Sequence, residues 1–177
     1  VLVLEALEGA RQRGARTYAE VVGYGLTCDA HHPTGADPTG RGAVRAMQQA
    51  LGASAISSDQ VDYISAHGTG TKSNDLNETL AVKRVFGAAA HSIPISSIKS
   101  MLGHTMGAAS ALEAATFALA IRHGQVPMTA NLENPDPECD LDYVVEGARQ
   151  HPVEVAMNNA YAFGGNNASL ILKKIEA

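Results

Sequence analysis

Two histidines and one lysine stand out by the company they keep. His67 lies in "SAHGTGT", residues 65–71, directly after the apolar run "VDYISA" and before Gly68. Lys99 and His104 lie in "SIKSMLGH", residues 97–104, among small and apolar residues. An imidazole held at a strand end is placed to move a proton, or to stabilise charge developing on a substrate oxygen. The plainer reading of His67 is a turn histidine bonded to a neighbouring carbonyl. A lysine in apolar surroundings must find an anion or lose its proton. Asp75, Glu78 and Glu113 are the candidate anions, and Glu113, in the middle of an apolar helix, has the same difficulty with the sign reversed. A buried lysine–carboxylate pair would resolve both; otherwise Lys99 snorkels to water.

Other motifs carry weaker chemistry. Thr69 and Thr71 alternate after His67 and could bond a polar ligand arm or merely each other's turn. "GTGTKS" is not a phosphate loop, because Thr71 stands where glycine must precede the lysine. "NAYAFGGNN", residues 159–167, reads as a Gly-Gly turn between strands; Gly164 and Gly165 let backbone approach a ligand, and N–H groups there could serve an oxyanion. Cys28 has Asp29 beside it, which opposes a low thiol pKa, and Cys139 stands between Glu138 and Asp140. Both read as packing residues. No HExxH or CxxC spacing is present, so no metal is expected.

The elements that must position these residues alternate. "VLVLE" reads as a buried strand, "ALEGARQRG" as a short helix ended by Gly14, and residues 17–27 as a strand. Residues 29–40 are a loop. Residues 41–52 form a helix with Ala43, Val44, Met47 and Leu51 on one face. "VDYISA" is a strand, and 73–87 a helix capped by Ser73 or Asn74 and stopped by Gly87. A strand in "IPISSIKS" precedes the nearly all-apolar helix 107–124. A helix apolar all round is buried on most sides, which suggests a layer between two sheets. "LDYVVE", "VEVAMNNAY" and "NASLILKK" follow an irregular crossing as strands, the last two paired as a hairpin. The pattern predicts an α/β layered domain with a mixed sheet.

With 177 residues, 45% of them hydrophobic, the chain can bury a substantial core. A net charge of −5 argues against a nucleic-acid surface. No apolar run reaches the ~20 residues that span a bilayer, and no signal-peptide pattern opens the sequence. Two cysteines make no disulfide framework and fit a reducing cytoplasm. The sequence does not begin with Met and its first residues read as part of a strand, so we expect a piece of a longer protein.

Together, "AHGTGT", "KSMLGH", "NPDPECDLD" and "NAYAFGGNN", in this order from Val1 to Lys174, resemble the C-terminal part of β-ketoacyl-acyl carrier protein synthases. The likeness is to elongating ketosynthases of type II fatty-acid and polyketide synthesis. It implies the thiolase-like fold, mixed sheets in α-β-α-β-α layers, with residues 1–27 ending the first half and 28–177 forming the second. It implies that the nucleophilic cysteine lies on an N-terminal part, since nothing here matches it. His67 and His104 would stabilise the enolate formed when a malonyl thioester loses CO₂. Lys99 would tune the site through a carboxylate, with Glu78 the favoured partner; Asp75 and Glu113 match acidic positions. Phe163 would gate the site and lend its N–H to an oxyanion hole, and Thr69 and Thr71 would bond the pantetheine arm. Two places depart from the family pattern. Asn166 stands where threonine is usual, and "YAF" replaces "FGF", so that Ala162 stands in place of glycine.

The implied activity is decarboxylative Claisen condensation in the cytoplasm, without cofactor beyond the phosphopantetheine of an acyl carrier protein. The implied partners are that carrier protein, the N-terminal half and a second ketosynthase unit in a homo- or heterodimer; no nucleic acid or membrane is implied. The competing readings are a non-catalytic chain-length-factor-like subunit and a carrier-protein binding module. Retention of His67, His104 and Lys99 speaks against the first, and the apolar faces a lone half would expose speak against the second.

Overall fold

A computed structural model describes residues 1–176; Ala177, the last residue of the expected second half, lies outside the described residues. In chain order the elements are α1 (Leu7–Gln12), β1 (Glu20–Cys28), α2 (Arg41–Ser54), β2 (Tyr63–Ser65), α3 (Lys72–Phe86), β3 (Ile95–Ser96), α4 (Lys99–Leu102), α5 (Ala109–His123), β4 (Gln125–Val126), β5 (Arg149–Gln150), β6 (Val155–Ala162) and β7 (Asn166–Lys173). Five strands form one mixed sheet in the order β1-β7-β6-β2-β3. β2 runs parallel to both β3 and β6, while β7 is antiparallel to β6 and to β1. β1 crosses the expected boundary between residues 27 and 28 and pairs with β7 through Cys28.

The sheet has a helix layer on each face. On one side Met47 of α2 and Val82 and Phe86 of α3 pack on Ile64, Ile95, Met157 and Ile171. On the other, Phe117, Ala120 and Ile121 of α5 pack on Tyr63, Ala156 and Leu172. α5 is thus buried along one face, while Leu112 and Leu119 on another remain exposed. Its end is set by Gly124 in a left-handed conformation (φ 61°) whose N–H returns to Ala120 O.

β1 and α2 come backbone to backbone at two glycines of the strand. A Cβ at Gly25 would stand 2.0 Å from Ala46 O, and one at Gly23 would stand 2.5 Å from Ala50 O. Glycine on the strand and alanine on the helix therefore set the spacing of the first layer, with Met47 filling beside the contact.

The sequence reading needs correcting in several places. Val1–Leu4 form no strand; they are irregular and exposed, and none of the described residues offers their backbone a neighbouring ladder. "LDYVVE" makes a single bridge, Tyr143 to Ile95, because β3 is only two residues long and turns directly toward α4. α3 begins at Lys72 with Thr71 at its N-cap, ahead of Ser73 and Asn74, and no side chain caps it. The Thr71 hydroxyl is already bonded to that of Thr69. The short pair β4–β5 was not anticipated, since two-residue strands leave no periodicity to read.

If backbone contact sets the first layer, Gly25→Val will lower the unfolding free energy by about 3 kcal/mol or more. Gly9→Ala, where nothing lies within 4 Å of the added carbon, will raise it by up to about 1 kcal/mol. Guanidinium denaturation of both variants measures the contrast.

Candidate active site

Three parallel strands end at one edge of the sheet. β2 leads two residues on to His67, β3 leads to Lys99, and β6 leads to Tyr161 and the turn that carries Phe163. Ser65 pairs with Ser96 on one side and Asn158 on the other, so the register of two ladders fixes where His67 emerges. Carboxyl ends of parallel strands are where α/β folds gather functional groups.

The backbone at His67 and Gly68 is held from several directions. Glu78, buried in the second turn of α3, accepts both N–H groups, each at 2.9 Å. Lys99 Nζ donates to His67 O at 2.6 Å, and Ser97 Oγ donates to Gly68 O at 2.9 Å. Gly68 has φ 42°, and a Cβ there would stand 2.5 Å from Ser97 Cβ, so this position requires glycine.

Lys99 does find an anion, but it is Glu113 of α5 and not Glu78. Both members are buried, at 8% and 1% exposure. Glu78 turns both of its oxygens to the His67 and Gly68 N–H groups from the α3 side, while the ammonium meets the carboxylate that α5 presents from the opposite layer. Asp75 holds the loop instead, accepting from Gly70 N at 3.3 Å and Asn74 Nδ2 at 3.0 Å.

These contacts determine the histidine tautomers. Lys99 Nζ stands 3.4 Å from His67 Nδ1, and an ammonium can only donate. His104 Nδ1 accepts the Met106 N–H at 3.2 Å. In the neutral rings both protons therefore sit on Nε2. The two rings meet edge to face, with centroids 5.7 Å apart and planes at 85°. His104 is exposed whereas His67 is buried. Each ring then has an Nε2–H, a donor of the kind that stabilises charge developing on an oxygen.

A cavity of about 560 Å³ has Thr69, Asp75, Glu78, Lys99 and His104 on its walls. The Thr69 hydroxyl lies 2.9 Å from that of Thr71, which is not part of the cavity wall. Phe163 is 70% exposed on the turn, outside that cavity. The Gly164 N–H is committed to Pro33 O at 2.7 Å, and Asn166 Nδ2 reaches back to Phe163 O at 3.0 Å. Gly164 and Gly165 both have positive φ, 83° and 75°. Cys28 and Cys139 are free thiols; the Cys28 thiol faces Gly164 O at 3.4 Å, and burial raises the Cys139 pKa. No cluster of three metal-ligating side chains occurs among the described residues.

Sequence reasoning missed Tyr161. Its ring lies 5.3 Å from that of His67, and its hydroxyl is buried with no partner among the described residues. The aromatic ring in "YAF", at the end of a predicted strand, is the sequence signal for it.

Burial, then the charge of Lys99, then His104, hold the His67 imidazole at a pKa of about 3. Burial pushes Glu78 up to about 7, against the opposing pull of the Gly68 and His67 N–H groups. The stability effects have opposite signs. Between about pH 3 and 6.5 the unfolded chain takes a proton on His67 that the folded chain refuses, so stability falls as pH falls. Between about pH 4.5 and 7 the folded chain holds a proton on Glu78 that the unfolded chain loses, so stability falls as pH rises.

Comparison with known proteins gives this geometry a context. The profile of the β-ketoacyl synthase C-terminal domain matches residues 18–133. The 3-oxoacyl-(acyl-carrier-protein) synthase 2 of Synechocystis is 50% identical over 176 residues, covering 99% of this chain and 42% of that protein. The ishigamide ketosynthase/chain length factor superposes with a TM-score of 0.92 at 48% identity, over 97% of this chain and 42% of that one. A ketosynthase solved with its type II polyketide acyl-carrier protein and bound to the hexaketide gives 0.95 at 40% identity, over 97% and 42%. The chain thus spans about two fifths of the length of these relatives, and its fold is the thiolase-like α/β fold of the ketosynthases.

The His67 ring should show no protonation between pH 5 and 8 when its NMR resonances are followed by pH titration of the full-length protein. Lys99→Met combined with Glu113→Gln, which removes both buried charges together, should move the midpoint up.

Proposed function

Because this chain belongs to the β-ketoacyl synthase family, as its C-terminal domain, we propose that it supplies the enolate-stabilising half of a ketosynthase active site. The nucleophilic cysteine lies on an N-terminal part of the same enzyme. The acyl chain waits on that cysteine as a thioester. A malonyl thioester, carried on the phosphopantetheine of an acyl carrier protein, loses CO₂: its C–C bond breaks and the electron pair passes into the enolate. The enolate carbon then attacks the acyl carbonyl, a C–C bond forms, and the cysteine thiolate leaves.

The observation that carries this reading is the pair of Nε2–H groups on His67 and His104, with Lys99 behind the first. Negative charge on the thioester oxygen is met by two N–H donors that need little reorganisation. His67 must stay neutral, because an imidazolium would bind the malonyl carboxylate rather than favour its loss. Burial and the Lys99 charge keep it so. No metal or redox group enters the scheme. Thr69 and Thr71 bond the pantetheine arm, Phe163 gates the site from the β6–β7 turn, and Gly164 and Gly165 let the backbone of that turn approach the arm. Asp75, Glu78 and Glu113 are supporting acids.

The working unit is a homo- or heterodimer of complete ketosynthases in the cytoplasm, serving type II fatty-acid or polyketide synthesis. No helix among the described residues is long and apolar enough to cross a membrane. A chain-length-factor-like subunit or a carrier-protein binding module would have no use for the His67–Lys99–Glu113 set.

In the full-length protein, His67→Ala and His104→Ala should each lower malonyl-thioester decarboxylation by roughly 100-fold or more. Acylation of the cysteine by an acyl donor should persist. Stopped-flow release of CO₂ and mass spectrometry of the acyl-enzyme separate the two steps, and unchanged decarboxylation in both variants would overturn the assignment.

A further inference from the structure

Asn158 joins the two layers that hold His67. It sits on β6 directly beside Ser65 of β2, two residues before the histidine, and is 3% exposed. Its Nδ2 faces four oxygens: Ser65 O at 3.1 Å, Ser65 Oγ at 3.2 Å, Glu113 Oε2 at 3.3 Å and Asn159 O at 3.5 Å. An amide nitrogen has two hydrogens, and acceptors so placed fix which end of the side chain points at them. One hydrogen goes to the strand that carries His67; the other goes to the carboxylate that holds Lys99.

The Glu113 carboxylate is therefore divided. Oε1 takes the Lys99 ammonium and Oε2 takes the Asn158 amide. Without the amide, Oε2 would be an uncompensated acceptor in a buried site, and the carboxylate could turn to satisfy it. Any turn draws Nζ away from His67 O and Nδ1. We propose that Asn158 is a positioning residue: by tying Glu113 Oε2 to the Ser65 strand it fixes the Lys99 ammonium behind His67, and so the ring nitrogen that carries the His67 proton.

This inference rests on the enolate-stabilising role given to His67 above, and the test keeps the two apart. Asn158→Asp is nearly isosteric, removes both hydrogens and sets a second carboxylate against Glu113. Asn158→Ala removes the amide without adding charge. In the full-length protein both variants should lower decarboxylation about tenfold or more, with cysteine acylation within about twofold of the parent. Asn158→Ala, which adds no charge of its own, should also move the His67 NMR titration midpoint upward by about one pH unit, because the Lys99 ammonium no longer stays fixed behind the ring. A residue that merely glued β2 to β6 would lower the melting temperature without moving that midpoint. Parent-like decarboxylation in both variants, or a parent-like midpoint in Asn158→Ala, would overturn the inference. If His67→Ala itself left decarboxylation intact, the fault would lie in the role assigned to His67. Should Asn158→Ala fail to fold, Asn158→Asp decides through the two steps: slowed decarboxylation with acylation intact supports the inference, and parent-like decarboxylation overturns it.

Discussion

The buried pair of Lys99 and Glu113 is the constraint around which the rest of the site is arranged. An ammonium and a carboxylate taken out of water lose several kcal/mol of hydration each, and regain it only with good geometry and further hydrogen bonds. Here the further bonds are specific. Lys99 also reaches His67 O and Nδ1, and Glu113 also reaches Asn158. Apolar residues of like volume would often hold the layers together as well. What they would not provide is a fixed cation 3.4 Å behind one nitrogen of one imidazole. The pair is better understood as specification of a tautomer than as a source of stability.

Glu78 illustrates how the backbone can be the object of a side chain's work. Among the described residues it makes no hydrogen bond to the side chains of His67, Lys99 or His104, yet its two oxygens accept the N–H groups of His67 and Gly68. That frees the carbonyl of His67 for Lys99 and leaves the imidazole no slack. The same burial that sharpens these bonds gives Glu78 and His67 opposite responses to acid, so their effects on stability offset each other over the pH range they share.

Much of this was legible in the sequence. The histidines and the lysine announced themselves by apolar surroundings, and Glu113 by its isolation in an apolar helix. β6, β7 and their turn followed from alternation and paired glycines. What was not legible depended on contacts across the sheet. Which carboxylate meets Lys99 depends on how α3 and α5 set Glu78 and Glu113 around it, a geometry across the sheet that no local pattern encodes. Asn158 read as one more polar residue in a strand, because its partners lie 93 and 45 positions away. "LDYVVE" has the composition of a strand, but its neighbour β3 ends after two residues. The N-terminal "VLVL" has strand composition without a strand beside it.

The bare contact between β1 and α2 has a mechanical meaning. Where side chains interdigitate, the distance between a helix and a sheet changes whenever the core is repacked. Gly23 and Gly25 remove that dependence, because the helix backbone rests against the strand backbone like a plate on a stop. Exchanges at Met47 or Leu51 then alter how well the space beside the contact is filled, while the depth of the layer stays fixed. The first layer of this half works as a ruler, and drift in the core sequence leaves its length unchanged.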